Sequence, residues 1–185
     1  MTDSGKELRV GGWGHLIGDE GSGYDLGRMA AVAVMMAFDG RGRQTILTEL
    51  LLNHFKLVKV EDLIPFIYKN AKISLSALAP LVGQAANRGD EVAIEILDRG
   101  AESLIELVKT GLNQFDDVPN DLFFSGGLKN LGELLYRPLR KHLAKLSDRI
   151  YLKSLEVDPV YGAAVECLKI AGLKPTKELK KVLFE

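Results

Sequence analysis

From Tyr24 to Phe38 the chain is almost unbroken in Ala, Val and Met, which predicts a mostly buried helix. The cluster Asp39-Gly40-Arg41-Gly42 ends it. Two shorter helical patterns follow at 44–55 and 61–69, with Pro65 placed to kink the second. Apolar residues at 75, 78, 82 and 85 predict one helix over 73–87. Arg88-Gly89-Asp90 closes it, and Asp90 stands where the next helix needs its N-cap. That next helix is long: Ala93, Leu97, Ala101, Leu104, Val108 and Leu112 form one stripe, and Gly100 inside it permits a close crossing.

Three short segments read as strands instead. Residues 6–10 alternate weakly, Asp121-Leu-Phe-Phe-Ser125 reads as a buried strand, and Arg149-Ile-Tyr-Leu152 forms the third. After Gly126-Gly127 a helix is patterned on Leu128, Leu131, Leu135, Leu139 and Leu146, with Pro138 a second candidate kink. Asp158-Pro159 begins the last helix as cap and first turn, its stripe is Val160, Ala164, Leu168 and Ala171, and Gly172 stops it. The order from 121 to 172 is βαβα, which implies parallel strands. The expectation is an α/β, helix-rich fold in one unit over 1–173, with 174–185 as a short helix or loose tail.

Composition narrows the class. With 185 residues and 46% hydrophobic content, one domain and a sizeable core are expected. A net charge of −1 leaves no electrostatic footprint for nucleic acid. No apolar run reaches the roughly 18 residues of a membrane helix, and the polar start has no signal-peptide core. Cys167 is the one cysteine; it excludes a disulfide within the chain, fits a reducing cytoplasm and lies on an apolar helix where a core thiol is expected.

Two segments carry candidate chemistry. Residues 11–27 hold seven glycines, Gly12 and Gly14 flanking Trp13 among them. Such density lets main-chain amides approach a ligand. Asp19 within it can accept two hydrogen bonds from neighbouring sugar hydroxyls, and the helix that follows turns its positive end to the same place. On spacing alone, Asp19 serves equally well as a helix cap. The second segment is Phe123-Phe124-Ser125-Gly126-Gly127, a strand turning through two glycines into a helix, which leaves free amides near a flat group or a phosphate. A tight βα turn without a ligand has the same pattern. His15, His54 and His142 share no metal-ligand spacing, Ser22 and Ser125 lack a neighbouring histidine base, and the Lys and Arg residues around 137–149 read as a solvated helix face.

Gly11-Gly-Trp-Gly-His-Leu-Ile-Gly-Asp-Glu-Gly-Ser-Gly-Tyr24 resembles the signature of N-acetylglucosamine kinases, within the BadF/BadG/BcrA/BcrD ATPase family of the actin-like, sugar-kinase superfamily. Ala85-Ala-Asn-Arg-Gly-Asp90, Ser125-Gly-Gly-Leu128 and Asp158-Pro-Val-Tyr-Gly-Ala-Ala164 continue the resemblance, which covers the chain to about residue 173. It implies a ribonuclease-H-like C-terminal kinase domain that uses ATP with Mg2+ on N-acetylglucosamine or a related hexose. Gly12, Trp13, Gly14 and Asp19 then correspond to the sugar side, and Ser76, Gly126 and Gly127 to the nucleotide side. The phosphate loops and the base on the sugar hydroxyl are absent from this sequence, and the resemblance places all three in a preceding domain. The chain is therefore expected to lack the N-terminal strands of its sheet, to be inactive alone, and to form homo-oligomers through open strand edges. Two other functions are weighed: an ATPase that activates radical dehydratases, as some of the family do with a shared iron–sulfur cluster, and a non-catalytic interaction module.

Overall fold

A computed structural model describes residues 7–69, 71–115, 121–154 and 159–173. Its helices are α1 (Gly23–Phe38), α2 (Leu47–Phe55), α3 (Leu63–Lys69), α4 (Ala71–Ser76), α5 (Ala79–Asn87), α6 (Glu91–Leu112), α7 (Glu133–Leu146) and α8 (Pro159–Ile170). Strands β1 (Asp121–Phe124) and β2 (Tyr151–Ser154) pair in parallel, with Leu122 opposite Leu152, as the βαβ order requires.

The core has two parts, and α6 joins them. Ala93, Ile96 and Leu97 belong to a cluster built with α1, α2 and α5, where Leu26, Val34, Leu51 and Val82 are fully buried. Ala101 and Ile105, one to two turns further on, pack instead with Leu135, Leu139 and Leu143 of α7 and with the inner face of the sheet, Leu122, Phe124 and Leu152. Glycines set how closely the first cluster packs. A Cβ at Gly27 would lie 1.8 Å from the Leu75 carbonyl oxygen, so α1 and α4 touch backbone to backbone. At Gly100 a Cβ would fall 2.5 Å from Leu26, which is the close crossing its position suggests.

Asp90 ties the α2 and α6 starts together. Its Oδ1 accepts from the Ala93 amide at 2.9 Å, capping α6, while Oδ2 accepts from the Ile46 amide at 2.8 Å and from the Thr45 hydroxyl at 2.9 Å. Asp90→Ala removes the cap and leaves two half-buried donors unmatched. We expect a loss of about 3 kcal/mol, the sum of a cap and the desolvation of the Ile46 amide, since the Thr45 hydroxyl can rotate to another acceptor; Asp90→Asn, which keeps one acceptor, costs less. Urea unfolding of both variants measures the difference.

Several sequence expectations are corrected. Residues 7–10 form no strand: neither described strand pairs with them, and Val10 lies against Gly111 of α6 instead. The helix expected over 73–87 is two helices, because Pro80 has no N–H to give the Ser76 carbonyl and the chain turns at Ala77-Leu78. The helix expected from Leu128 is a 3-10 turn, Gly127–Leu131, followed by Gly132 at φ +55° and then α7. Strand β1 is only half-buried: Phe123 and Tyr151 lie on the outer face and are more than half exposed. No residue of α8 with a described side chain is buried, and Cys167 is exposed rather than a core thiol. The Asp158 cap and the 174–185 tail lie outside the described residues. Gly172, at φ +73°, does end α8, with the Leu173 amide reaching back to the Leu168 carbonyl at 2.9 Å.

Candidate functional site

The glycine-rich segment folds into a narrow loop on the N-terminal side of α1. The Trp13 amide donates to the Gly18 carbonyl and the Gly18 amide to the Gly14 carbonyl, both at 2.9 Å, closing a small ring. Gly14 sits at φ +105°, a conformation only glycine adopts without strain. Asp19 fastens the ring from below: its Oδ1 accepts from the Gly14 amide at 3.1 Å, and Oδ2 holds no hydrogen bond to a described residue. Asp19 is not the helix cap. Ser22 is, its hydroxyl accepting from the Asp25 amide at 3.3 Å, while Asp25 in turn accepts from Gly21 at 3.0 Å. The capping work is thus done by other residues, and half of the Asp19 carboxylate stays available.

The loop surface is unusual in carrying apolar side chains into solvent. Trp13 is 58% exposed, Leu16 81% and Ile17 78%. The Arg9 guanidinium lies 4.3 Å from the centre of the Trp13 ring and donates to the Gly11 and Gly12 carbonyls, which fixes the indole against the loop. His15 meets Tyr24 edge to face at 5.1 Å, tying the loop to α1.

A second feature begins where α1 starts. An open groove of 1340 Å³ runs between α5 on one side and the 3-10 turn and α7 on the other. Three contacts define its course. At one end Gly23 lies against Ala79, Leu128 and the Ser76 carbonyl; in the middle Gly83 meets Leu131; at the other end Asp98 bonds Lys141 at 3.0 Å. Ser76 and Gly127, expected on the nucleotide side from segments 51 positions apart in sequence, both line this groove. Gly126 lies next to Gly127 at φ +101°, outside the groove lining, with nothing within 4 Å of where its Cβ would be. Gly12, Trp13, Gly14 and Asp19 form the loop and do not line the groove; the first turn of α1 connects the two, through the Ser22 amide on the Asp19 carbonyl at 3.1 Å.

Sequence reasoning missed several groove residues. Gln84, Asn87, Asn130 and Arg137 line it, and none of these side chains bonds another described residue. Arg137 and Lys141 belong to the basic run read as a solvated face; both are exposed as expected, and they also line the open groove from the α7 side. The available signal was the set of small residues Ala79, Gly83 and Ala86 on one face of α5, which lowers one wall. Behind the far end, buried His142 bonds Asp98 Oδ1 at 3.1 Å. Partial burial raises the Asp98 pKa, but hydrogen bonds from Lys141 and His142 outweigh it and hold the carboxyl below its ordinary value. Its contribution to stability is therefore present above the unfolded carboxylate range and is lost as pH falls through the depressed value.

The described residues contain no group of three or more His, Cys, Asp or Glu able to hold a metal ion, and no helix among them is long and apolar enough to cross a membrane.

Known proteins resemble this chain over most of its length. The N-acetylmuramic acid/N-acetylglucosamine kinase of Clostridium acetobutylicum is 37% identical over 165 residues, which span 87% of this chain and 54% of that protein. The N-acetyl-D-glucosamine kinase of Dictyostelium discoideum is 34% identical over 168 residues, 86% of this chain and 52% of that protein. The crystal structure of a candidate N-acetylglucosamine kinase from Chromobacterium violaceum superposes with a TM-score of 0.69 at 29% identity, over 88% of this chain and 53% of that one. The chain thus spans about half the length of the curated relatives it matches. The family model of the BadF/BadG/BcrA/BcrD ATPases matches residues 1–166, and the chain belongs to that family.

Proposed function

We propose that this chain forms the sugar rim and the adenosine side of an ATP-dependent kinase acting on N-acetylglucosamine or a related hexose. The observation that carries this reading is the shared groove. Ser76 and Gly127 meet in it, and it opens at the α1 N-terminus, where the Asp19 loop begins. The loop offers what carbohydrate recognition uses, a carboxylate with a free oxygen, left-handed glycine backbone and an exposed indole held flat by Arg9. In this reading Gly12, Trp13, Gly14 and Asp19 bind the sugar, and Ser76, Gly126 and Gly127 bind ATP. The ribonuclease-H-like class and a cytoplasmic setting accompany the assignment.

Phosphoryl transfer depends on positioning and on stabilising charge at the transferred group. Neither a phosphate-gripping loop nor a base on the sugar hydroxyl is among the residues identified, and the reading assigns both to the half of the relatives' length that this chain does not span. This chain by itself is then inactive. Mg2+ would come with ATP, held mainly by its phosphates; the described residues hold no cluster of three metal-ligating side chains, and no step is assigned to the metal. The dehydratase-activator alternative is weaker: this chain supplies one thiol, and cubane clusters of that kind are held by four.

The test is ATP-dependent phosphorylation of a sugar panel by the intact protein, read by coupled ADP release. Turnover on N-acetylglucosamine or another hexose supports the reading, and ATP hydrolysis indifferent to every sugar defeats it. Gly127→Ala sharpens it. A Cβ there meets nothing within 4 Å in the free protein, so the variant should fold as stably as the parent. The methyl group would enter the groove, and we expect KM for ATP to rise roughly tenfold, the cost of a displaced close contact of about 1.4 kcal/mol. The two-stranded sheet, open on both edges among the described residues, also leads us to expect self-association of this chain, read by light scattering.

A further inference from the structure

We infer that His15 is a positioning residue: its ring, set against Tyr24, holds the tip of the sugar loop at a fixed distance from the groove. The inference rests on the kinase reading above and adds to it a residue that binds neither sugar nor nucleotide in that reading.

The loop is anchored unevenly. Its base is seated on the helices. The Ser22 amide donates to the Asp19 carbonyl at 3.1 Å, and a Cβ at Gly21 would lie 2.6 Å from the Gly100 carbonyl oxygen, so the backbone there runs directly on α6. The tip is different. The Ile17 and Gly18 amides both donate to the Gly14 carbonyl, at 3.0 and 2.9 Å, which makes His15, Leu16 and Ile17 the projecting turn. Leu16 and Ile17 stand in solvent. His15 is the partly buried one of the three, and it meets Tyr24 edge to face with ring centres 5.1 Å apart.

Tyr24 is a fixed reference point. It is the second residue of α1 and packs against the larger core cluster. It directly follows Gly23, which lies at the end of the groove against Ala79, Leu128 and the Ser76 carbonyl. The contact from the loop tip to Tyr24 therefore relates the proposed sugar side to the proposed nucleotide side across a single peptide unit. It is made by ring surfaces, because the His15 nitrogens form no hydrogen bond to a described residue.

Such a contact matters most for the transfer step. Reacting atoms have to stand about 3–3.5 Å apart, and a displacement of about 1 Å costs rate steeply. A tip released from Tyr24 still carries Asp19 and Trp13 and still binds sugar, and the groove is untouched. What falls is the share of bound complexes with the loop at the right distance. An aromatic pair changes such an equilibrium by about three- to tenfold, so the loss appears in kcat.

The experiment is steady-state kinetics of the intact protein, with N-acetylglucosamine and ATP, on the parent, His15→Ala, His15→Phe, Tyr24→Leu and the double variant His15→Ala with Tyr24→Leu. Thermal unfolding first shows each to be folded at the assay temperature. His15→Ala should lower kcat by about three- to tenfold, with KM for ATP unchanged. His15→Phe restores an aromatic ring without nitrogens and should recover most of that loss. Tyr24→Leu keeps apolar bulk in the core but removes the ring, so it should reproduce the loss, and the double variant should be no slower than either single one. Unchanged kcat in His15→Ala, a Phe variant as slow as the Ala variant, or losses that multiply in the double variant would each overturn the inference. In those cases the parent still phosphorylates the sugar and the kinase reading stands. A parent that phosphorylates no sugar removes that reading, and the inference with it.

Discussion

Gly27→Ala should unfold this chain at a temperature lower by about 6–12 °C, a loss of roughly 3 kcal/mol for a domain of this size. Two effects compete. Alanine is the better helix former by about 1 kcal/mol, which favours the variant. Against this, the new Cβ would stand 1.8 Å from the Leu75 carbonyl oxygen and 2.7 Å from its carbon. Both are backbone atoms, so no rotamer change relieves the clash, and α1 and α4 must move apart by more than an ångström. That movement would open the cluster in which Leu26, Ala30 and Val34 are fully buried. Overpacking of this kind usually costs 1–3 kcal/mol and sometimes more. Gly162→Ala provides the control. It is also a helical glycine, but nothing lies within 4 Å of its Cβ position, so propensity alone acts and stability should not fall. Thermal unfolding of the two variants side by side decides whether the close approach, rather than glycine itself, is what matters.

The second large effect concerns activity. In the intact protein, Asp19→Ala should lower kcat/KM for every accepted sugar by about 100-fold or more, the loss of two charge-assisted hydrogen bonds at 1.5–3 kcal/mol each. Asp19 also holds the Gly14 amide at 3.1 Å, so a structural contribution has to be separated from a binding one. Asp19→Asn does this. Its amide oxygen can still accept from Gly14, which keeps the loop closed, while the negative charge and one acceptor site are gone. A binding role predicts that Asn remains impaired in sugar KM, with KM for ATP unchanged. Full activity of the Asn variant would reduce Asp19 to a loop fastener. Normal phosphorylation of every sugar by the Ala variant would remove it from the site.

How much of this was legible beforehand depends on which physical signal each feature leaves. The long helix α6 and its Asp90 cap are plain in the sequence, because a 3.6-residue stripe and a cap residue act locally. The parallel pairing of β1 and β2 follows from element order. The split between α4 and α5 was missed because apolar periodicity continues across it; what breaks the helix is a missing donor at Pro80, a backbone fact that side-chain patterning does not register. Residues 7–10 were misread for a different reason. A strand exists only with a partner strand, and neither described strand pairs with them; a helix, α6, lies beside Val10 instead. The burial expected for Cys167 failed likewise, since an apolar stripe shows that a face can be covered, not that the described chain covers it.

The candidate site divides the same way. The loop of Gly12, Trp13, Gly14 and Asp19 is contiguous in sequence, so its glycine density and single carboxylate can be read directly. The groove is assembled from α5, the 3-10 turn and α7, and only the fold brings Gln84 or Asn87 opposite Arg137. Carboxamides on a helix face look like ordinary solvated residues until a wall appears across from them.

Trp13 is the one tryptophan of this chain, and it stands in the proposed sugar loop at 58% exposure, so the part of the intact protein's tryptophan emission that Trp13→Phe removes reports on that loop. Titrating N-acetylglucosamine into the intact protein should shift this emission to shorter wavelength and saturate, and Asp19→Asn, which keeps the Gly14 contact, should weaken the response while leaving the starting spectrum unchanged. An emission spectrum unmoved by any sugar, in a protein that nevertheless phosphorylates one, would show that carbohydrate binds elsewhere and would contradict the account.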